Sequence, residues 1–232
     1  MKKHKPRISC LLASALTVLT VVVSAPVSSK VIMPEWYHKQ MSAYSLKGTA
    51  REQRLLESLA SAKIFAQADC YPQSEIIFSL GQYYWEIGEL AKAEKSFSEA
   101  VRLKQDGLAI SLIGKQRQSA NDPTAAAIGI VLPAYSTARD EQAGRIHSLA
   151  NCQSWLGRTL LQEKNYEAAA RVLASAIALL DQNQSEDKEV ILLPDTLLPY
   201  AKALRALKRT DEASLAEARA HELLRQRKLL LD

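Results

Sequence analysis

The stretch SLGQYYWEIGELAKAEKSFSEAVRL, Ser79 to Leu103, decides the fold. Ile77, Leu80, Tyr84 and Ile87 recur at three- and four-residue steps, the apolar stripe of one amphipathic helix. Gly81 lies beside that stripe, where a missing side chain lets a second helix come close. Gly88 interrupts the pattern, which suits a helix C-terminus followed by a tight turn. A second helix starts near Glu89 and carries Ala93, Phe97, Ala100 and Leu103 on one face. Two antiparallel helices, with Gly81 against Ala93 at their crossing and Tyr84 and Phe97 on the flanks, account for the order of small and bulky residues.

The rest of the chain is of the same kind. Glycine and proline number only 8 each among 232 residues, and Ala, Leu, Lys, Arg, Glu and Gln, all good helix formers, dominate. Strand-type alternation of β-branched and polar residues is almost absent. The expected fold class is all-α.

The pattern at Leu80-Gly81, Tyr84, Gly88, Ala93, Phe97 and Ala100 resembles the tetratricopeptide repeat, a unit of about 34 residues in two helices. One such unit cannot bury its own face, so others are required. A second is found at 150–183, where Leu156-Gly157, Leu160, Tyr166, Ala169, Leu173 and Ala176 take the corresponding places and Lys164 replaces the turn glycine. A third, at 194–227, has Tyr200-Ala201 for Leu-Gly, then Leu204, Ala213 and Ala220. Its Glu217 stands where a bulky residue is expected, as fits a terminal repeat meeting water. With the first at 74–106, these imply a right-handed α-solenoid of antiparallel helix pairs over 34–232. Upstream, Arg51 to Ala68 is expected as the second helix of a further pair. Residues 107–148 are expected to hold one degenerate pair, with a helix start near Pro123 and an apolar piece broken at Pro133. The acidic run Glu186 to Glu189 is expected in a solvated loop.

Residues 1–30 stand apart. A basic start, MKKHKPR, precedes an uncharged apolar run, Ile8 to Val23, and a small polar tail. This is the pattern of an export signal, and the alternative is an N-terminal membrane anchor at 8–23, short beside the ~20 residues of a comfortable span. Pro26 disfavours a cut after Ala25; cuts after Ser24 or Ser29 avoid it. On either reading the basic end stays cytoplasmic and the bulk is expected to be periplasmic or otherwise extracytoplasmic. The formal charge of +5 includes Lys2, Lys3, Lys5 and Arg7, so the remainder is near neutral. That argues against nucleic acid as partner, because phosphate binding needs concentrated Lys and Arg.

Cys10 lies in the leader and lacks the placement of a lipoprotein cysteine. Cys70 and Cys152 are expected either as a disulfide, which an oxidising compartment permits, or as two separate buried thiols. His38, His147 and His221 have no i+4 histidine partner, and no CxxC pair exists, so no metal site is expected. Neither a Gly-x-Ser-x-Gly elbow nor a phosphate loop is present, and no enzyme and no cofactor are expected.

The resemblance implies binding instead. In the family the first helix of each pair lines a groove that takes an extended peptide or a partner's helix. Carried onto this chain, the groove positions are Glu75, Phe78, Gln82, Trp85 and Glu86, then Asn151, Ser154, Arg158, Leu161 and Gln162, then Asp195, Leu198, Lys202 and Arg205. Phe78 and Trp85 are expected either to form an aromatic shelf or, for Trp85, to pack against the preceding pair. Arg158, Lys202 and Arg205 make a cationic patch suited to acidic side chains. Phe78 and Gln82 occupy places that the carboxylate-gripping chaperone binders fill with lysine or asparagine, so that specificity is not implied. The expected function is an extracytoplasmic scaffold or assembly factor binding another protein. The alternative is an accessory subunit, or an enzyme whose site the sequence does not display.

Overall fold

A computed structural model describes residues 33–63, 70–121, 138–183 and 186–231. The leader at 1–30, with Cys10 and the 8–23 segment, lies outside the described residues, as do Pro123 and Pro133. All described helices belong to the compact unit Pro34–Asp232. In order they are α1 (Glu35–Ala43), α2 (Gly48–Ala62), α3 (Tyr71–Glu86), α4 (Leu90–Asn121), α5 (Ala138–Gln162), α6 (Tyr166–Gln182), α7 (Glu186–Ala206) and α8 (Thr210–Leu231). Each packs on the next in sequence, α3 also touches α5, and α5 touches α7. No strand occurs among the described residues, and the protein is an all-α helical solenoid.

The helices follow from their apolar spacing. In α6 the buried residues are Ala169, Ala170, Leu173, Ala176, Ile177 and Leu180, a single stripe at helical period. In α3 burial runs almost all round, through Ser74, Ile76, Phe78, Ser79, Leu80, Gly81 and Tyr83, because α2, α4 and α5 surround it. The core runs along the array as three clusters. One joins α1 and α2 to α3 at Ala43, Leu55, Leu80 and Tyr83. One joins α3 and α4 to α5 and α6 around Phe97, Leu156 and Leu173. The third joins that pair to α7 and α8 around Leu180, Leu193 and Leu204. At about 1.5–3 kcal/mol per buried large side chain, the contacts between pairs are what stabilise each pair.

The three repeats are copies down to their turns. Gly88, Lys164 and Lys208 each adopt positive φ, at 81°, 63° and 61°. The next residue's N–H donates back across the turn in every case: Glu89 to Tyr84 O, Asn165 to Leu160 O and Arg209 to Leu204 O, each 2.9 Å. This is the six-to-one bond of a left-handed helix cap. The lysines pay a backbone strain there that glycine avoids.

Three expectations are corrected. Gly81 does not rest against Ala93. A Cβ built on Gly81 would lie 2.7 Å from Phe97 Cδ1, and one on Gly157 would lie 2.4 Å from Leu173 Cγ. Each glycine thus makes room for the bulky residue of the facing helix. The third repeat has a Cβ at this place, in buried Ala201, and there the facing residue is Glu217, which reaches Arg205 instead (Nε–Oε1 2.8 Å). Second, among the described residues no separate pair lies between the first two repeats: α4 continues to Asn121, α5 starts at Ala138, and the two pack directly, while 122–137 lie outside the described residues. Third, Glu186 to Glu189 begin α7 rather than filling a loop. Pro194 and Pro199 lie inside that helix, where Leu192, Leu193 and Leu197 are buried, so tertiary burial outweighs the proline penalty. The expected second helix of the upstream pair is α2, Gly48–Ala62; residues 64–69, the rest of its expected span, lie outside the described residues.

Gly81→Ala should lower the unfolding free energy by about 1–3 kcal/mol, because the Phe97 ring is fully buried and has little room to yield. An unchanged thermal midpoint would reject the close approach. Lys164→Gly and Lys208→Gly should each stabilise by roughly 0.5–1 kcal/mol, the left-handed strain relieved less the chain entropy that glycine adds. A lower midpoint for either variant would contradict the turn geometry.

Candidate functional site

The first helices α3, α5 and α7 lie side by side and present the residues expected to line a groove. Where each one goes depends on what the next helix brings to it. Phe78 is not on an open shelf: it is 8% exposed and packs against Phe97 (ring centroids 5.7 Å) and Trp155 (6.5 Å). Trp85 is half-buried and meets Trp155 edge-on at 5.3 Å, so it packs against the following pair rather than the preceding one. Trp155 is the hub of this region. It stacks on Phe97 at 5.9 Å, and the Arg158 guanidinium lies 5.3 Å from its ring. Its role was not anticipated. The corresponding positions hold Ser79 and Pro199, so a large ring in a small-residue place was the available signal.

Arg158 is held from two sides, by the Trp155 ring and by Asp195 O. Its Nη2 donates to Asp195 O at 2.5 Å, bridging α5 to α7. Burial pulls its pKa below the ordinary value, and the charge of Asp195 opposes that. Its Nε and the Trp85 indole nitrogen are both buried without a hydrogen-bond partner. The remaining charges are largely neutralised. Glu86 pairs with Arg51 of α2 (2.5 Å). Arg205 pairs with Glu217 through both Nε and Nη2. The cationic patch therefore reduces to exposed Lys202 and the half-buried Arg158. Ser154 is buried and accepts a hydrogen bond from Thr196 (3.1 Å). Gln82, Asn151, Leu161 and Leu198 are half-buried, and Gln162 and Asp195 are exposed.

Glu75 has a different task. Its carboxylate accepts from Lys104 Nζ and from Ser148 Oγ (2.9 Å), joining α3, α4 and α5. The Lys104 side chain is only 2% exposed and its Nζ lies 4.7 Å from the centre of the Tyr71 ring. Burial, then the Glu75 charge, pushes the Tyr71 hydroxyl up to about 12. The adjoining void, lined by Cys70, Tyr71, Leu103, Lys104, Gly107 and Arg145, measures about 10 Å³, enough for one water. This knot locks two repeats together and offers no room for a substrate. Breaking a buried pair of this sort by removing one partner is costly.

Cys70 and Cys152 are separate free thiols in the structure. Cys70 Sγ donates to Leu103 O at 3.1 Å, and Cys152 is a buried thiol pushed up to about 12, chiefly by burial. A thiol so raised stays protonated and unreactive at neutral pH.

Across the same interface Glu94 of α4 meets Glu163 of α5. Burial first, then the charge of Glu94 and a hydrogen bond to it, hold the Glu163 carboxyl above its ordinary range.

Stacked antiparallel helix pairs with a mixed aromatic and polar face along their first helices define a helical-repeat array. Residues 74–106 match the tetratricopeptide repeat family model. No curated protein matches the sequence. Among solved structures, one similar chain is BtubC (BKLC) from P. vanneervenii, at 16% identity and a TM-score of 0.35, covering 78% of this chain and 74% of that one. Another is the apo form of RapI, at 10% identity and a TM-score of 0.31, covering 82% of this chain and 54% of that one. No described helix is long and apolar enough to cross a membrane.

Because the Glu163 pKa is raised on folding, its contribution is favourable below the ordinary carboxyl value and is lost as pH rises through the folded value. Glu163→Gln should therefore raise the thermal midpoint slightly at neutral pH. The advantage should shrink below about pH 4, where the wild-type carboxyl is protonated in both states. A difference independent of pH would contradict the carboxylate contact.

Proposed function

We propose that the protein is an exported, non-catalytic scaffold or assembly factor that holds a segment of a partner protein along its first-helix face. The observation that carries this reading is a row of incompletely buried apolar side chains on three consecutive first helices, Trp85, Leu161 and Leu198, edged by Gln82, Gln162 and Lys202. An extended segment crossing α3, α5 and α7 would meet each in turn, with aromatic Trp85 as the strongest anchor. The neutralised charges at Glu86 and Arg205 support recognition led by apolar contact, with modest electrostatic steering. The basic leader and apolar run support an extracytoplasmic location.

The test is capture from membrane and periplasmic extracts with three baits of equal thermal stability. Partners held by the wild type should be lost with Leu161→Glu and kept with Lys95→Glu, an exposed change on α4. Equal capture by all three would remove the first-helix face from the reading. A fluorescent reporter that matures only in the cytoplasm, fused after Asp232, should stay dark; a bright fusion would reject export.

A further inference from the structure

The three repeats allow the chain to be compared with itself. Taking Gly81, Gly157 and Ala201 as equivalent pairs Glu94 with Ala170 and Glu163 with Leu207. At the first inter-repeat junction the two glutamates meet. At the second junction their places are apolar, and a cleft of about 370 Å³ opens between α6, the end of α7 and the α7–α8 turn. Ala170, Ala174 and Leu207 line it, with the Tyr200 ring beside them. Its volume is within the range of small-ligand sites, which are mainly apolar with a few fixed polar groups.

The polar groups at its rim are two arginines, a tyrosine and one glutamate. Arg171 forms no ion pair and the Tyr200 hydroxyl no hydrogen bond with any described residue. Arg209 is engaged with Glu212 through Nε and Nη2 at 2.7 and 2.6 Å, which leaves its Nη1 edge available. Glu167 also lies on the rim, one helical turn before Arg171. An anion must therefore enter from the Arg171 and Arg209 side, where the Glu167 carboxylate does not oppose it.

We propose that this cleft is a second binding site, separate from the first-helix face, and that it takes the C-terminal residue of a partner polypeptide, an aliphatic side chain on the Ala170–Ala174–Leu207 floor with its carboxylate on Arg171. A terminal residue joins an apolar side chain and a carboxylate within one residue's span, and that is the combination of floor and rim found here. An arginine fork and a hydroxyl are suited to two carboxylate oxygens. The proposal rests on the reading of the protein as an interaction array, but on surface that reading does not use.

The probe is N-acetyl-leucine, added to the folded domain and followed by methyl resonances of Ala170, Ala174 and Leu207. A ligand of this size binds in the low-millimolar range. N-acetyl-leucinamide, which lacks the carboxylate, and N-acetyl-aspartate, which lacks the aliphatic chain, should each bind about tenfold more weakly or not at all. Arg171→Ala, an exposed change that leaves the fold intact, should give a similar loss for N-acetyl-leucine. Leu161→Glu should leave probe binding unaltered, so a failure here and a failure of the first-helix reading are told apart. Equal binding of the amide or of the aspartate probe, full binding to Arg171→Ala, or no shift up to about 50 mM would each overturn the proposal.

Discussion

The array depends on how closely the two helices of a pair approach. At Gly81 and Gly157 the absent Cβ is what lets Phe97 and Leu173 reach across, and an added carbon would fall well inside contact distance of either. That approach places the second helix, and the second helix places the surface on which the next pair stacks. The third pair obeys the same constraint with other residues. Ala201 is allowed because Glu217, opposite, is drawn to Arg205 and leaves the space free. Small against bulky, or larger against retracted, is one volume rule satisfied in two ways.

Between the first two repeats the contact is unusually diverse. The aromatic hub at Trp155 and the polar knot of Glu75, Lys104 and Ser148 both bridge α5 to the first pair. Such a knot must be fully satisfied, since a buried charge without its partner is far costlier than the pair is favourable. The result is a rigid platform under Trp85, which is left half-covered at its edge. The second junction is built more plainly, with an apolar cluster around Leu180, Leu193 and Leu204, and it leaves an open cleft beside Leu207.

Function in such an array lies in the residues left over when packing is complete. Phe78 and Ser154 sit at positions that could have faced a partner, yet the core takes them. Leu161 and Leu198 at comparable positions stay partly open. Charges show the same sorting: Glu75, Glu86 and Arg205 are spent within the molecule, and Lys202 is not.

The helical class and the pairing of helices were legible along the chain, because 3.6-residue periodicity, small residues at crossings and turn residues are all local signals. The turns were legible even where lysine replaced glycine, since the surrounding pattern specified them. The start of α7 was misread because prolines and acidic residues signal a boundary locally, and only the burial of Leu192 and Leu193 against the preceding pair overrides them. The same holds for the candidate face. Repeat position tells which way Phe78 points, but not whether something covers it, and what covers it is Trp155, far along the chain. The sequence by itself thus determined the helices and their antiparallel pairing, whose causes act within a turn or two. Only the tertiary structure decided which residues remain available to a partner, because exposure is settled by side chains that distant helices bring to the same place.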